Sequence, residues 1–190
     1  MALKTPIINI MTKAAYKAGN ILIKDFREVE NLQVSKKGIG DFVTSADLNS
    51  ENTIIKVLQK AYPEIKIISE ETSSDIELDK YDKKWIVDPL DGTLNFLHGL
   101  PHFAISIALM IKDEVISGVI YDPIKDELFW AEKGVGAFLN DKRIRVSGRN
   151  KLKDALVSTG IPWKGMENSH ENYLKILENI MKNSSGIRRY

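Results

Sequence analysis

Two aspartates three residues apart mark the most chemically suggestive stretch of the chain, 85-WIVDPLDGTLNF-96. Asp88 directly follows the apolar run Trp85–Val87, and Pro89 is expected to end a regular central strand because proline lacks an amide donor. Asp91 then returns to the same side through a tight turn. Two carboxylates this close repel each other unless a cation lies between them. Oxygen ligands without His or Cys nearby favour Mg²⁺ or Mn²⁺ over zinc.

Gly92 and Thr93 follow the second aspartate. Glycine allows a close backbone approach, and a helix or turn that opens at this point offers amide groups to a phosphate. The Thr93 hydroxyl can orient a water molecule. Carboxylate-bound metal beside an anion-binding turn indicates hydrolysis of a phosphate ester, in which two ions about 3.5–4 Å apart activate a water and stabilise the leaving oxygen.

Two further acids fall at the ends of predicted extended segments. Glu70 follows 65-IKIIS-69, and Asp47 closes 32-LQVSKKGIGDFVTSAD-47, which reads as two short extended pieces. Side chains at strand ends can converge in a cleft without disturbing a core. A single Asp-x-x-Asp-Gly is more often a solvated turn, and paired glutamates after a strand are more often surface charge. The combination of four acids, each at the end of an element, is what favours a site.

Periodicity predicts the elements that position these acids. Thr5-Pro6 is typical of an N-cap followed by the first helical residue, and a second helix stops before Pro63. The run 103-FAISIALMI-111 fits a strand or a helix, whereas the segments from 114 to 134 predict an antiparallel meander. The buried stripe expected on the first helix comprises Ile7, Met11, Ala14, Ala18, Leu22 and Phe26.

The best candidate for a domain boundary lies near residue 148. Residues 1–147 are expected to form an N-terminal α+β domain that carries the metal and phosphate site. Residues 148–190 would begin a second α/β domain with a strand over 155–160 and a helix over 168–181. The charged segment 73–84 is interpreted as a solvated loop.

Composition excludes several classes of protein. The 190 residues include 27 basic and 26 acidic side chains, a net charge of +1 that favours neither nucleic acid nor membrane. The absence of cysteine rules out disulfides and thiolate metal sites. Lys13 and Lys17 interrupt the apolar run that a signal peptide needs, so a cytoplasmic location is expected. His98 and His102 flank a Gly-Leu-Pro turn, where a structural role is favoured over metal binding.

Five stretches of the chain, in this order, carry a resemblance to a known family: 41-DFVTSAD-47, 67-IISEET-72, 85-WIVDPLDGTLNFLHGLPHFAISIAL-109, 118-GVIYDP-123 and 130-WAEKGVGAFLN-140. Through them the sequence resembles the inositol monophosphatase family over nearly its whole length. The resemblance implies an α+β fold, a layered α/β/α/β/α sandwich of the sugar phosphatase type with the second α/β domain only partly present. It also implies a Mg²⁺-dependent, lithium-sensitive phosphomonoesterase.

Matched position by position, the resemblance implies a set of metal ligands. Glu70, Asp88 and the Leu90 carbonyl would hold one ion, and Asp88 and Asp91 a second. Glu70 would also contact a weaker third ion. The implied cofactor is therefore two or three Mg²⁺ ions, with Mn²⁺ as an alternative.

The resemblance likewise implies catalytic and substrate-binding roles. Asp47 and Thr93 would polarise the attacking water, and Glu70 joins them as a catalytic residue through its metal. Asp91, Gly92 and Thr93 would bind the phosphorylated substrate, a small polyol or sugar.

Inositol 1-phosphate, cleaved to inositol and phosphate, is the expected substrate. Sugar bisphosphatase, histidinol phosphatase and nucleotidase activities are alternatives within the same fold. The family continues into a substrate-binding segment and a WDxAAG motif whose aspartate completes the second metal site, so we expect this chain to be C-terminally incomplete. A catalytically incomplete chain with a regulatory role in an RNA polymerase antitermination complex is an alternative of a different class. A homodimer is also expected, with no membrane partner and no direct binding to nucleic acid.

Overall fold

The computed structural model describes residues 3–28, 34–36, 42–71, 81–162 and 167–189. These residues form two compact units, one comprising the chain up to Ser35 together with Phe42–Ile144, and the other formed mainly from Arg145 onward. The domain division between residues 147 and 148 stays a prediction. None of the helices in the described ranges is long and apolar enough to cross a bilayer.

Two helices, α1 (Pro6–Phe26) and α2 (Ser45–Ala61), pack against each other and against the sheet of the first unit. The start of α1 is as predicted, because Pro6 is its first residue and the Thr5 hydroxyl accepts a hydrogen bond from the Ile8 amide at 3.4 Å. The predicted stripe is fully buried from Met11 to Leu22, whereas its two end residues, Ile7 and Phe26, are partly buried and pack against the core. The prediction misses Ile8, which is fully buried. Ile8 stands three residues before Met11 and so points to the sheet along the same helical row.

Seven strands form one sheet and follow each other in chain order. The first two strands of this sheet pair in parallel, and every later pair is antiparallel. The predicted meander is thereby confirmed, and the ambiguous run 103–111 forms a strand. The strands are β3 (Lys66–Ser69), β4 (Lys83–Asp91), β5 (Ala104–Ile111), β6 (Glu114–Asp122), β7 (Glu127–Glu132), β8 (Gly136–Leu139) and β9 (Lys142–Ile144). Two earlier strands, β1 (Val34–Lys36) and β2 (Phe42–Thr44), form a separate two-stranded sheet.

Pro89 does not end β4, contrary to the expectation from sequence. The pairing with β5 passes from Asp88 opposite Ser106 to Asp91 opposite Ala104, so three steps along β4 match two along β5. This extra residue is a β-bulge. Pro89 lies inside the irregular stretch, where its missing amide hydrogen removes no regular ladder bond. Asp91 is therefore redirected by a bulge and not by a tight turn.

The core of the first unit lies between the helix pair and one face of the sheet. Its largest fully buried side chain is that of Trp85 on β4, which contacts the ring of Tyr62 just after α2. The charged segment predicted as a loop over 73–84 is partly wrong, because Lys83 and Lys84 begin β4 and Lys84 is buried. Residues 73–80 of that segment lie outside the described residues.

The second unit contains a short 3-10 helix (Leu152–Asp154), the strands β10 (Leu156–Ser158) and β11 (Gly186–Arg188), and the helix α4 (Glu167–Asn183). β10 and β11 pair in parallel. The strand and helix predicted in this part of the chain are confirmed with small shifts of their ends.

The first unit contains one further short helix. This five-residue helix, α3 (Thr93–Leu97), follows the bulge of β4.

Candidate active site

The N-terminal half of α2 carries buried polar side chains. Asp47, Ser50 and Glu51 are 1%, 0% and 2% exposed, and their spacing places them on one face of the helix. Asp47 lies in the first turn of α2, so the sequence-based placement at the end of an extended segment is wrong. A carboxylate in a first helical turn is favoured by the helix dipole.

Asp47 belongs to a cluster of acids drawn from three elements. The pKa of its carboxyl is raised to about 8, chiefly by burial and then by repulsion from Glu71, Asp88, Glu70 and Glu51, in that order. Charges influence one another this strongly only over short distances through a poorly hydrated region. The structure therefore brings Asp47, Glu70 and Asp88 into one electrostatic neighbourhood.

Asp88 interacts with the charges of Glu70 and Asp91. The pKa of Asp88 is raised to about 7, chiefly by burial and then by the charges of Glu70 and Asp91, although a hydrogen bond from the Leu90 amide opposes the rise. That amide donates to Asp88 Oδ1 at 3.1 Å. The Glu70 amide donates to the Val87 carbonyl at 3.1 Å and so extends the β3–β4 pairing by one residue, which places Glu70 beside Asp88.

Gly92 and Thr93 form the turn between β4 and α3. Gly92 has a φ of 93°, and a Cβ atom at this position would lie 3.0 Å from the His102 carbonyl oxygen. Glycine is therefore required both by the left-handed backbone and by the close approach of another chain segment. The Thr93 hydroxyl donates to the Leu90 carbonyl at 2.9 Å, which fixes the position of its oxygen atom.

A cleft of about 230 Å³ opens beside this turn. Its lining includes Asp122, a carboxylate at the end of β6 that sequence reasoning misses. Asp122 Oδ1 accepts hydrogen bonds from the amides of Ile124 and Lys125, both at 3.0 Å. The available signal is its place in 118-GVIYDP-123, an acid that follows an apolar strand and precedes proline. The residues around the cleft are Asp91, Gly92, Asn95, His102, Phe103, Ala104 and Asp122.

His98 and His102 are both exposed near this cleft. The His102 carbonyl accepts a hydrogen bond from Asn95 Nδ2 at 2.8 Å, and the His98 amide donates to carbonyls of α3. These backbone contacts are consistent with the structural role that the sequence favours for the two residues.

The donor chemistry of the acidic cluster fits a hard divalent cation. Glu70, Asp88 and Asp91 offer carboxylate oxygens and Leu90 offers a carbonyl oxygen, the ligands that Mg²⁺ and Mn²⁺ prefer. The raised pKa values of Asp47 and Asp88 reflect burial and repulsion that a bound cation would relieve. Within the described ranges no three acidic or histidine side chains already stand in a coordinating arrangement. Instead a hydrogen bond joins the side chains of Glu70 and Asp88.

The fold and the site together define the class of protein. The α+β fold of this chain is shared with inositol monophosphatases of known structure. Residues 3–190 match the family model described as the inositol monophosphatase family, and this chain belongs to that family. Members of the family generally depend on Mg²⁺.

Similar proteins carry two kinds of name. An inositol-1-monophosphatase of Mesorhizobium japonicum is 48% identical over 186 residues, which cover 98% of this chain and 69% of the relative. The Nus factor SuhB of Escherichia coli is 41% identical over 184 residues, covering 97% and 68%. This chain therefore spans about two thirds of the length of these relatives.

Solved structures support the same assignment. The extragenic suppressor protein SuhB from Bartonella henselae superposes with a TM-score of 0.89 at 48% identity, covering 98% of this chain and 70% of that one. An inositol monophosphatase (IMPase) from Thermotoga maritima gives a TM-score of 0.82 at 35% identity, with coverages of 97% and 68%. The predicted family and α+β fold are confirmed.

Proposed function

We propose that this protein hydrolyses a small phosphate monoester, inositol 1-phosphate first among the candidates, in a reaction that depends on Mg²⁺. The observation that supports this proposal is the neighbourhood of Asp47, Glu70 and Asp88 next to the Gly92–Thr93 turn. In this neighbourhood the pKa of Asp88 is raised by burial and by the charges of Glu70 and Asp91. Such a group of acids favours the binding of a cation, and the cation would in turn bind an anionic substrate.

The proposed ligands follow the order of the chain. Glu70, Asp88 and the Leu90 carbonyl would hold one Mg²⁺ ion, Asp88 and Asp91 a second, and Glu70 would contact a third, with Mn²⁺ as an alternative metal. The bound ions supply an activated water and a stabilised leaving oxygen. Asp91 also lines the cleft, so the same carboxylate is available to substrate and to metal.

Thr93 and Asp47 are proposed to orient the attacking water. The Thr93 hydroxyl donates its only hydrogen bond to the Leu90 carbonyl. Its oxygen can therefore only accept a hydrogen bond from a water. The Asp47 carboxylate, when it is ionised, accepts a second hydrogen bond from the same water. Two acceptors acting on one water direct its lone pair towards the phosphorus atom, and the ionised Asp47 carboxylate takes the proton that the water loses.

Gly92 and Thr93 are proposed to bind the phosphate through their amides. The first amides of a helix have no partner within the helix, and Thr93 is the first residue of α3.

Asp88→Asn tests this function. We expect phosphate release from inositol 1-phosphate in the presence of Mg²⁺ to fall by about 100-fold or more, because the amide removes one anionic metal ligand. Asp113→Asn, a change of the same kind in the exposed turn between β5 and β6, should retain native activity. Equal activity of Asp88→Asn and the native protein would contradict the proposal. Rates on a sugar bisphosphate, histidinol phosphate and a nucleoside monophosphate, measured in parallel, decide among the alternative substrates.

A second candidate function comes from the relatives named Nus factor SuhB, which are 40–46% identical to this chain. We infer from these names that a protein partner in a transcription complex is the main alternative to catalysis. Calorimetric titration with purified Nus factors measures this binding directly, and Asp88→Asn should bind them as the native chain does.

We also propose that the protein is a cytoplasmic homodimer, which sedimentation velocity tests. We further propose a division into a site-bearing domain over 1–147 and an α/β domain from 148.

A further inference from the structure

Ser50 links α2 to the bulge of β4. Its hydroxyl donates to the Pro89 carbonyl at 2.8 Å across 39 residues of sequence, and its side chain is fully buried. A serine inside a helix usually bonds a carbonyl of its own preceding turn or points to solvent. The bond of Ser50 leaves the helix instead, so this serine makes a specific tertiary contact.

The Pro89 carbonyl belongs to the same planar peptide unit as the Leu90 amide. That amide donates to Asp88 Oδ1 at 3.1 Å. Because the unit is rigid, a hydrogen bond that holds its oxygen also sets the direction of its N–H bond. Ser50 therefore acts on the group that orients the Asp88 carboxylate.

The bulge explains why this peptide needs an outside partner. Pro89 and Leu90 lie in the interval between Asp88 and Asp91, where the pairing with β5 shifts register. Backbone groups in a bulge lose their regular ladder partners, and a buried carbonyl without a partner is unfavourable. The Ser50 hydroxyl supplies a donor at this point.

We propose that Ser50 is a positioning residue for Asp88, and that its hydroxyl holds the Pro89–Leu90 peptide in the orientation that presents the Asp88 carboxylate to a divalent cation. This inference rests on the metal site of the proposed function. Ser50 itself touches neither metal nor substrate in this scheme. Asp47 stands three residues earlier on the same buried face of α2, so the same contact also fixes the helix that carries Asp47 against the strand that carries Asp88.

The test is cation affinity measured by calorimetric titration with Mg²⁺ and with Mn²⁺, independent of any turnover. Ser50→Ala should weaken binding about tenfold, the effect typical of residues that orient a metal ligand. Ser50→Thr keeps the hydroxyl and should restore most of the affinity. If the alanine variant proves too unstable to titrate, Ser50→Cys gives the same comparison, because a thiol is a weak donor.

Ser117→Ala is the matched control. Ser117 is also buried, at 1% exposure, and its hydroxyl has no hydrogen-bond partner within the part of the chain that the structure describes. Its replacement should leave cation affinity unchanged. A weakening by Ser117→Ala equal to that by Ser50→Ala would overturn the positioning role, since it would show a general effect of losing a buried serine.

Asp88→Asn separates this inference from the proposed function. If Asp88→Asn weakens cation binding and Ser50→Ala does not, the role of Ser50 is refuted and the metal site stands. A lower unfolding midpoint of Ser50→Ala with native cation affinity also refutes that role, because it shows a purely structural contact. If both variants bind cations as the native protein does, the site lies elsewhere and the proposed function fails together with the role of Ser50.

Discussion

Gly92 and the carbonyl oxygen of His102 approach so closely that a Cβ atom on Gly92 would lie 3.0 Å from that oxygen. The turn that precedes α3 is therefore packed against the segment that leads into β5. This contact sets the position of Thr93, and with it the distance between the proposed water-binding hydroxyl and the acids of β4.

Gly92→Ala is expected to destabilise the fold more than Gly134→Ala. Both glycines have positive φ, 93° and 81°, and an alanine in that conformation costs roughly 1–2 kcal/mol. Only the Cβ atom at Gly92 meets neighbouring backbone, whereas no atom lies within 4 Å of one at Gly134. Urea unfolding of the two variants isolates the effect of the clash, and equal losses would show that the His102 segment simply moves aside.

Thr5→Ala should lower the free energy of unfolding by about 1–2 kcal/mol. The Thr5 hydroxyl caps α1 and also donates to Glu132 Oε2 at 2.7 Å, which links the start of the chain to the end of β7. Thr5→Ser keeps both hydrogen bonds and serves as the control in chemical denaturation. A native free energy for Thr5→Ala would mean that neither bond contributes.

The metal-free protein should lose stability as pH rises from about 6 to 8.5. The pKa values of Asp88 and Asp47, about 7 and about 8, lie above their ordinary value. The folded protein therefore holds these protons more tightly than the unfolded chain does. The resulting stabilisation is complete below about pH 4 and disappears as pH passes through 7 and 8.

Asp47→Asn should flatten this pH dependence. The measurement is thermal unfolding in EDTA at pH 6 and 8.5. At pH 8.5 the variant should unfold at a higher temperature than the native protein, by a few degrees for each kcal/mol by which its free energy of unfolding exceeds the native value. Asp113→Asn, in an exposed turn, should behave as the native protein at both pH values. A midpoint for Asp47→Asn that falls as steeply as the native one would contradict the assignment of these protons.

Asn140→Ala should destabilise the turn between β8 and β9 more than Asn140→Gly. Asn140 has a φ of 51°, and its Oδ1 accepts a hydrogen bond from the Leu128 amide at 2.9 Å. Both changes remove that bond, but only alanine adds strain in the left-handed conformation, at a cost of roughly 1–2 kcal/mol. Urea denaturation measures the difference between the two variants, and a smaller loss for alanine would contradict it.

The sequence predicts those parts of the fold that local signals determine. Thr5 and Pro6 specify the start of α1, and the alternation of apolar residues specifies the meander. The sequence leaves the run 103–111 open because an apolar run has no period of its own, and pairing with β4 and β6 decides it. The expectation that Pro89 ends β4 is wrong because Pro89 lies in a bulge. The bulge arises from the pairing of β4 with β5, which local sequence does not reveal.

The acids of the candidate site can be selected from the sequence because they stand at the ends of predicted elements. Their surroundings cannot be predicted from the sequence. The sequence places Asp47 on an extended segment, since its neighbours do not reveal that α2 begins at Ser45. Asp122 is missed because one carboxylate at a strand end carries little information alone. Ser50 has no sequence signal, because its partner Pro89 is distant along the chain and is reached only through the packing of α2 on β4.

The packing of α1 also sets an order of events during synthesis. α1 is synthesised before the strands that it covers, because these include β6 and β7, and the partner of its cap, Glu132, ends β7. At the usual pace of translation the helix must wait roughly 5–20 s for these strands. During that time its apolar side, from Ile8 to Leu22, is open to chaperones or to other nascent chains. α1 is thus made well before the strands that can cover its apolar side.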